Sequence, residues 1–142
     1  MLKKMELELS GSEEGGVLYA YTDGDGTIKV GRTNCLQRRM EEWDKGCPNP
    51  NRIWLGFVET NYSHRLGKLF SWGETGIKND SEALVHLRLK IVGLRRDPMY
   101  CLNCSRNHVE KFDAPGGADL VWREIVKPIA EELARFLEAL YD

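Results

Sequence analysis

The sequence has no long hydrophobic run, because nowhere do eighteen apolar residues follow one another. A helix that crosses a bilayer needs about twenty mostly apolar residues, so we expect no membrane-spanning segment and no membrane partner. The opening residues, MLKKMEL, are too polar for the apolar stretch of a signal peptide. These two absences predict an intracellular chain, in the nucleus or the cytoplasm.

A strong charge of either sign is also lacking. The formal net charge is −2 at pH 7, which argues against tight, purely electrostatic nucleic-acid binding. The charge is uneven, however: residues 29–54 carry six basic and three acidic side chains, and residues 65–111 carry nine and five. Residues 117–142 reverse this pattern, with three basic and six acidic side chains. The distribution is consistent with a locally basic, phosphate-binding face on an acidic protein.

Cysteine is scarce, with four residues in a chain of 142. In a reducing compartment these are expected to be thiols or metal ligands rather than disulfides. Cys101, Cys104 and His108 bring two thiols and an imidazole within eight residues, a spacing suited to one structural Zn²⁺ with tetrahedral ligands. The alternative is a set of free, buried thiols. A zinc site would need a fourth ligand, and the candidates are Cys35, Cys47, His64 and His86.

Three segments predict the strands of a small antiparallel sheet. Residues 17–22 are rich in aromatic and β-branched side chains, and the Asp-Gly-Asp-Gly sequence at 23–26 is a strong turn signal. Residues 27–30 can return as the second strand of a hairpin. Residues 53–58 predict a third, buried strand. With helices between and after the strands, the pattern indicates an α+β fold with a three-stranded sheet.

A first helix is expected over residues 35–45, with Asn34 as its N-cap. Leu36, Met40 and Trp43 follow one another at spacings of four and three residues, which places them in one apolar stripe. A second helix is expected after Ser81, which can serve as its N-cap.

The end of the chain also shows helical periodicity. It follows the breaker at 115–117, and Pro128 predicts either a kink or a new helix with the proline in its first turn. We expect a flexible lead-in over residues 1–15, a main folded domain over 16–114 and a C-terminal helical extension packed on that domain over 115–142.

Two short motifs lie on the first two predicted strands. The first is Gly16-Val17-Leu18-Tyr19, the second is Lys29-Val30-Gly31-Arg32, and Arg39 follows on the first helix. This order resembles the GIY-YIG nuclease superfamily over about residues 16–113, and most closely its fungal and bacteriophage-type branch, whose second motif reads Lys-Ile-Gly. Further matches to that branch are Trp43, Cys47, Glu82, His86, Cys101, Cys104, His108, Glu110 and Phe112.

The resemblance implies a role for each matching residue. Tyr19 takes the position of the tyrosine that activates water, and Lys29 takes that of the second tyrosine. Arg32 matches a position held by basic side chains, and Arg39 matches the catalytic arginine. Glu82 matches the glutamate that binds one catalytic Mg²⁺ or Mn²⁺. The late asparagine of the family has two candidates here, Asn103 and Asn107. Cys47 follows the arginine helix where this branch has a cysteine, which makes it the preferred fourth zinc ligand.

The chemistry of these residue types agrees with phosphodiester hydrolysis. A hard divalent cation prefers a carboxylate oxygen such as that of Glu82, and the Arg39 guanidinium can bind two phosphate oxygens. A free tyrosine has a pKa of about 10, so it is a poor base unless a nearby cation favours the phenolate. Lys29 and the metal can supply that charge. The implied function is a metal-dependent endonuclease, with DNA preferred to RNA as its partner.

Each of these residues also has an ordinary structural interpretation. Tyr19 can be a packing residue, Arg39 can belong to a solvated helix face, and Glu82 can act only on the helix dipole. The chain can therefore be an inactive nucleic-acid- or protein-binding module with a structural zinc. A third hypothesis is an interaction domain in which the acidic helix at 118–142 binds a partner or a second copy.

Overall fold

The molecule contains one antiparallel sheet, a separate hairpin and a C-terminal run of helices. A computed structural model describes residues 16–72, 93–94, 99–102, 104–108 and 111–141. The strands are β1 (Val17–Thr22), β2 (Thr27–Thr33), β3 (Ile53–Glu59), β4 (Met99–Cys101), β5 (Arg106–His108) and β6 (Lys111–Asp113). The helices are α1 (Leu36–Gly46), α2 (Ser63–Trp72), α3 (Ala118–Val121), a π-helical turn (Trp122–Val126) and α4 (Lys127–Tyr141).

The main sheet has four strands in the order β3-β1-β2-β6, whereas the sequence predicted three. The class of fold is as expected, a mixed α and β structure with a C-terminal helix. The additional strand is β6, which pairs antiparallel with β2 through Thr27 and Asp113, Ile28 and Phe112, and Lys29 and Lys111. Such a three-residue strand has no periodicity of its own to detect, so only its pairing with a distant segment defines it.

The hairpin of β1 and β2 forms where the turn residues predict it. Gly24 and Gly26 have φ angles of 78° and 81°, a region that favours glycine. Between them, the Asp25 carboxylate accepts hydrogen bonds from the backbone N–H of Thr27 at 3.1 Å and from its hydroxyl at 2.6 Å. β2 runs on to Thr33, three residues beyond the expected strand.

Helix α1 begins one residue later than expected, with Cys35 rather than Asn34 at its N-cap. Cys35 makes no side-chain capping hydrogen bond. The Thr33 hydroxyl accepts the Cys35 N–H at 3.1 Å, while the Asn34 amide oxygen accepts from Arg38 at 3.2 Å. The prediction of Asn34 as the cap was wrong, because the Thr33 hydroxyl, and not the Asn34 side chain, accepts a backbone N–H at the start of this helix.

Strand β3 lies at one edge of the sheet and is more exposed than the sequence predicted. Ile53 is 59% exposed and Phe57 is 43% exposed, while Val58 is buried. An edge strand has a neighbouring strand on one side only, so its side chains are less covered than those of the central strands. Helix α2, which the sequence did not predict, buries Leu66 and Phe70 at a spacing of four residues against the sheet.

The two faces of the sheet carry separate apolar clusters. The main core packs one face against α2 and the C-terminal helices, and its members include Leu18, Ile28, Leu66, Val121 and Leu137. The smaller cluster, which we call the tyrosine cluster, covers the other face. Its members are Val17, Tyr19, Tyr21, Leu36, Met40, Trp43 and Trp54.

The C-terminal helices contribute to the main core. The apolar stripe of α4 is buried there, including Ile129, Leu133 and Leu137. Pro128 is the second residue of α4, but it does not begin a new helix, because Lys127 before it has helical φ and ψ angles of −61° and −47°. The helical backbone runs on from Ala118 through Pro128, with the π-helical turn immediately before the proline. In the part of the chain that the structure describes, no helix is both long and apolar enough to cross a membrane. The predicted boundaries at 15/16 and 114/115 stay predictions.

Candidate functional site

Tyr19 lies in the tyrosine cluster, directly opposite Gly31 on the neighbouring strand. A Cβ atom added to Gly31 would lie 2.6 Å from both Cζ and Oη of Tyr19, closer than non-bonded atoms approach. The tyrosine ring therefore occupies the space that the missing side chain leaves. The glycine of the second motif and the tyrosine of the first motif form one packed pair.

Trp43 brings two of the candidate catalytic residues into contact with one side chain. Its indole Nε1–H donates to the Tyr19 hydroxyl at 3.3 Å. On β2, the Lys29 ammonium lies 5.5 Å from the centroid of the Trp43 ring, within the range of a cation–π interaction. Tyr19 is 2% exposed and Lys29 is 6% exposed. The phenol and the ammonium therefore share a buried position on one face of the sheet.

Arg39 lies on helix α1, one residue before Met40 of the tyrosine cluster. Its side chain is 42% exposed, and its Nε lies 3.5 Å from a carboxylate oxygen of Glu42. Arg38, its neighbour, is 59% exposed and lies 3.9 Å from Glu42 as well. Both ion pairs lie at the surface and contribute little to stability. Because its side chain is partly exposed and only weakly held by Glu42, Arg39 is accessible to a phosphate.

Arg32 lies on the opposite face of the sheet from Tyr19 and Lys29. Its cross-strand partner is Leu18 of the main core, and successive residues of a strand point to opposite faces. The aliphatic part of Arg32 packs on helix α2, since a Cβ added to Gly67 would lie 3.3 Å from Arg32 Cγ. The structure therefore does not bring Arg32 together with the other candidates. Glu82, His86 and Asn103 lie outside the described residues.

Three cysteines from two distant parts of the chain form a cluster. The Sγ atoms of Cys47, Cys101 and Cys104 all lie within 4.8 Å of one another, and those of Cys47 and Cys101 are 3.4 Å apart. A tetrahedral zinc with Zn–S bonds of about 2.3 Å separates its sulfurs by roughly 3.8 Å. The spacing fits such an ion, so these three cysteines can hold a metal. Cys35, another sequence candidate, is not a member.

Local backbone structure positions each of these thiols. Cys47 is the C-cap of α1, and its backbone N–H donates to the Trp43 carbonyl at 2.9 Å. Cys101 ends β4, and its carbonyl accepts from the Ser105 N–H at 2.8 Å. Ser105 has a φ angle of 56°, a left-handed conformation that closes the turn after Cys104. The cluster therefore joins the end of helix α1 to the tip of the β4–β5 hairpin.

The proton affinities of two of the thiols differ. Burial raises the pKa of the Cys47 thiol to about 12, and the neighbouring Cys101 and Cys104 thiols add to this effect. Burial also acts to raise the pKa of Cys104, but hydrogen bonds from Cys47, Cys101 and Arg106 outweigh it and hold that pKa below its usual value. A cation bound here would displace the Cys47 proton, because the thiolate is the ligand form.

His108 is the last residue of β5, and its cross-strand partner is Met99. Cys101 pairs with Arg106, two residues before His108, so the two sequence candidates occupy neighbouring register positions of the same hairpin. Diagonal neighbours of this kind have Cα atoms about 7–8 Å apart. The register therefore places the His108 backbone next to that of Cys101 across this hairpin.

A buried network of charges supports both the tyrosine cluster and the cysteines. Arg52 donates from Nε to Asp23 at 2.8 Å and from its terminal nitrogen to the Trp43 carbonyl at 3.0 Å. Lys111 donates to Asp23 at 3.4 Å and to Asp25 at 3.0 Å. The side chains of Arg52, Asp23 and Lys111 are at most 5% exposed. Sequence reasoning missed this network, because its partners lie 29 and 88 residues apart and carry no local signal.

Arg52 connects this network to the cysteine cluster. Its guanidinium lies 4.7 Å from the centroid of the Tyr21 ring, and it forms a hydrogen bond with the Cys47 thiol. Burial acts to lower the pKa of Arg52, but the adjacent Asp23 carboxylate outweighs that effect and raises it, so the guanidinium stays charged. Burial raises the pKa of Tyr21, which keeps that phenol neutral.

One family model matches the chain. It covers residues 25–135 and is described as Meiotically up-regulated gene 113. The match includes the second motif, helix α1 and all three clustered cysteines. Searches among curated proteins and among solved structures gave no match. With the larger part of its length covered by that family model, the chain belongs to the Meiotically up-regulated gene 113 family.

Proposed function

We propose that this protein is a metal-dependent endonuclease of the GIY-YIG type, which hydrolyses phosphodiester bonds in DNA, with RNA as the alternative substrate. The observation that carries the proposal is the packed pair of Tyr19 and Gly31, which brings the two short motifs together on adjacent strands. Lys29 lies on the same face of the sheet as Tyr19. Helix α1, which carries Arg39, packs on that face as well.

In this proposal the residues divide the work of hydrolysis. Tyr19 takes a proton from the attacking water, and the Lys29 ammonium favours the ionised phenol that can do so. Arg39 binds the phosphate and balances its developing charge. Mg²⁺ or Mn²⁺ held by the Glu82 carboxylate would add positive charge at the phosphate and the leaving oxygen. Arg32, on the opposite face, has no part in this chemistry.

The burial of two candidate catalytic side chains favours a second function, in which the protein binds nucleic acid or another protein without catalysis. Tyr19 and Lys29 are 2% and 6% exposed, which leaves little room for a water and a phosphate at the phenol. A module of this kind would bind nucleic acid through Arg39 with a strong dependence on salt, and it would not cleave under any metal.

The experiment that separates these functions is a cleavage screen across single-stranded, branched and duplex DNA and RNA with Mn²⁺. Arg39→Ala should reduce cleavage by about 10²–10³-fold, the usual loss when one charge-stabilising group is removed. Arg38→Ala is the matched control, because Arg38 is the adjacent and similarly exposed arginine, and it should retain activity. Glu82→Gln should abolish cleavage while the protein stays folded.

Two results would reject the nuclease proposal. Cleavage that persists in Glu82→Gln would come from another site or from a contaminant. Salt-dependent binding without cleavage of any substrate would instead establish the binding module, provided that Arg39→Ala weakens binding more than Arg38→Ala does.

We further infer that the cysteine cluster binds one structural Zn²⁺, with His108 as the fourth ligand. The distances between the sulfurs of Cys47, Cys101 and Cys104 support this. Elemental analysis should give about one zinc per chain. Cys47→Ser should lose the zinc and melt at a lower temperature, because ligand binding is part of the folding free energy. Cys35→Ser, outside the cluster, should keep the zinc and should not lower the melting temperature, since serine is a favoured residue at this N-cap position. Protein that melts unchanged after zinc removal would contradict a structural ion.

A further inference from the structure

We propose that Trp43 is the positioning residue of Tyr19: its indole N–H holds the phenol oxygen and favours the ionised form that acts as the base. This inference rests on the proposed nuclease function. The observation behind it is the hydrogen bond of 3.3 Å from Trp43 Nε1 to the Tyr19 hydroxyl, which joins helix α1 to the central strand of the sheet.

An indole N–H is a donor only, so the direction of this hydrogen bond is fixed. A donor aimed at a phenol oxygen stabilises the phenolate more than the neutral phenol. Trp43 therefore supplies orientation and favourable electrostatics without adding a competing base.

Trp43 is itself held from several directions. The Arg52 guanidinium lies 5.4 Å from the centroid of its ring and donates to its carbonyl at 3.0 Å. The Tyr21 ring meets it edge-on with centroids 5.3 Å apart, and the Lys29 ammonium lies 5.5 Å from its centroid. A side chain restrained in this way can fix the position of the Tyr19 hydroxyl, because the indole has little freedom to rotate.

The charged and titratable groups around Tyr19 come from each element packed on it. Strand β1 contributes Tyr21, which burial keeps neutral, and β2 contributes Lys29. Helix α1 contributes Arg39, which precedes Met40 of the cluster and pairs with Glu42 at 3.5 Å. Strand β3 contributes Glu59, whose cross-strand partner is Val17, two residues before Tyr19. None of these groups is removed by a change at Trp43, so an effect of that change reports on the indole.

The matched pair of variants is Trp43→Phe and Trp54→Phe. Each keeps an aromatic ring and removes one indole N–H. Trp54 also contacts the Tyr19 ring, with centroids 5.6 Å apart, which makes it a control for packing against the same residue. Trp43 donates its indole N–H to the phenol oxygen, whereas Trp54 contacts the ring of Tyr19. A purely structural role predicts similar effects of the two variants, whereas the proposed role predicts an effect of Trp43→Phe alone.

The test is an NMR titration of ¹³C-labelled tyrosine, in which Tyr19→Phe identifies the Tyr19 signal. In Trp43→Phe the ionisation midpoint of the Tyr19 phenol should move up by about one pH unit, a tenfold change in the proton equilibrium and the scale of one hydrogen bond to a charged group. Trp54→Phe should leave the midpoint in place. In the ¹⁵N spectrum, Tyr19→Phe should shift the Trp43 indole N–H signal and not that of Trp54.

An unchanged midpoint in Trp43→Phe, or a Trp43 indole signal indifferent to Tyr19→Phe, overturns the inference. Cleavage is measured separately: the pH at which the rate reaches half its maximum should rise by about one unit in Trp43→Phe, in step with the phenol. A shifted phenol with an unshifted rate profile overturns the part of the inference that concerns catalysis. Absence of cleavage in the wild type rejects the nuclease proposal, while the titration still decides the hydrogen bond.

Discussion

Gly31→Ala tests the packed pair of motifs most directly. The new Cβ would lie 2.6 Å from Cζ and Oη of Tyr19 and 3.1 Å from Cε1. Carbon atoms in contact prefer a separation of about 3.5–4.0 Å, so the ring would have to move by roughly 1 Å. That movement is opposed by the Trp54 ring and by the hydrogen bond from Trp43. Forced overpacking of this kind costs about 1–3 kcal/mol.

A smaller effect opposes this cost. Glycine in the middle of a strand is less favourable than alanine by about 0.5–1 kcal/mol, so the net loss of stability in Gly31→Ala should be about 1–2 kcal/mol. Cleavage should fall by more, because a displacement of about 1 Å at a reacting group can cost roughly 10²-fold. The two expected effects are therefore of different size and are measured separately.

The assay for stability is urea unfolding followed by tryptophan fluorescence. Gly93→Ala is the control, because Gly93 is helical and a Cβ there meets nothing within 4 Å, so this variant should lose no stability and should gain up to about 1 kcal/mol. In a Tyr19→Leu background, which lacks the ring, Gly31→Ala should cost much less. If Gly31→Ala is as stable as the wild type, or costs the same in both backgrounds, the packing argument fails.

Two further predictions concern the buried charges. Burial acts to raise the pKa of Asp25, but the hydrogen bonds from Thr27 and Lys111 outweigh it and lower that pKa. The resulting stability is complete above the usual aspartate pKa of about 4 and is lost as the pH falls through the lower folded value, so unfolding free energies measured against pH should drop less steeply in Asp25→Asn. Arg52→Met removes a guanidinium 2.8 Å from a buried carboxylate and should cost about 3–5 kcal/mol in urea unfolding, whereas Arg123→Met, in an exposed pair, should cost under about 1 kcal/mol. Equal losses in the two arginine variants would refute the buried network.

Much of the local structure follows from the sequence. The turn at 23–26 forms the hairpin as its glycines predict, and Leu36, Met40 and Trp43 contact the sheet as their spacing predicts. The two-residue period of a strand also predicts that Arg32 and Lys29, three positions apart, lie on opposite faces of the sheet. The resemblance to the nuclease motif had placed both residues among the catalytic candidates. Alternation along the strand was the better guide at that position.

The candidate site depended on contacts between distant segments. The spacing of Cys101 and Cys104 predicts that both thiols belong to one metal site, but only the folded chain brings the Cys47 thiol within 4.8 Å of both. The hydrogen bond from Trp43 to Tyr19 likewise joins residues 24 positions apart.

Turns, strand alternation and helical stripes were determined by the sequence alone, because each depends on residues a few positions apart. The fourth strand, the buried pairing of Asp23 with Arg52 and the cysteine cluster were decided by the tertiary structure. Their partners come from distant segments, and such pairings form only when folding brings these segments together and buried polar groups must find partners within the protein.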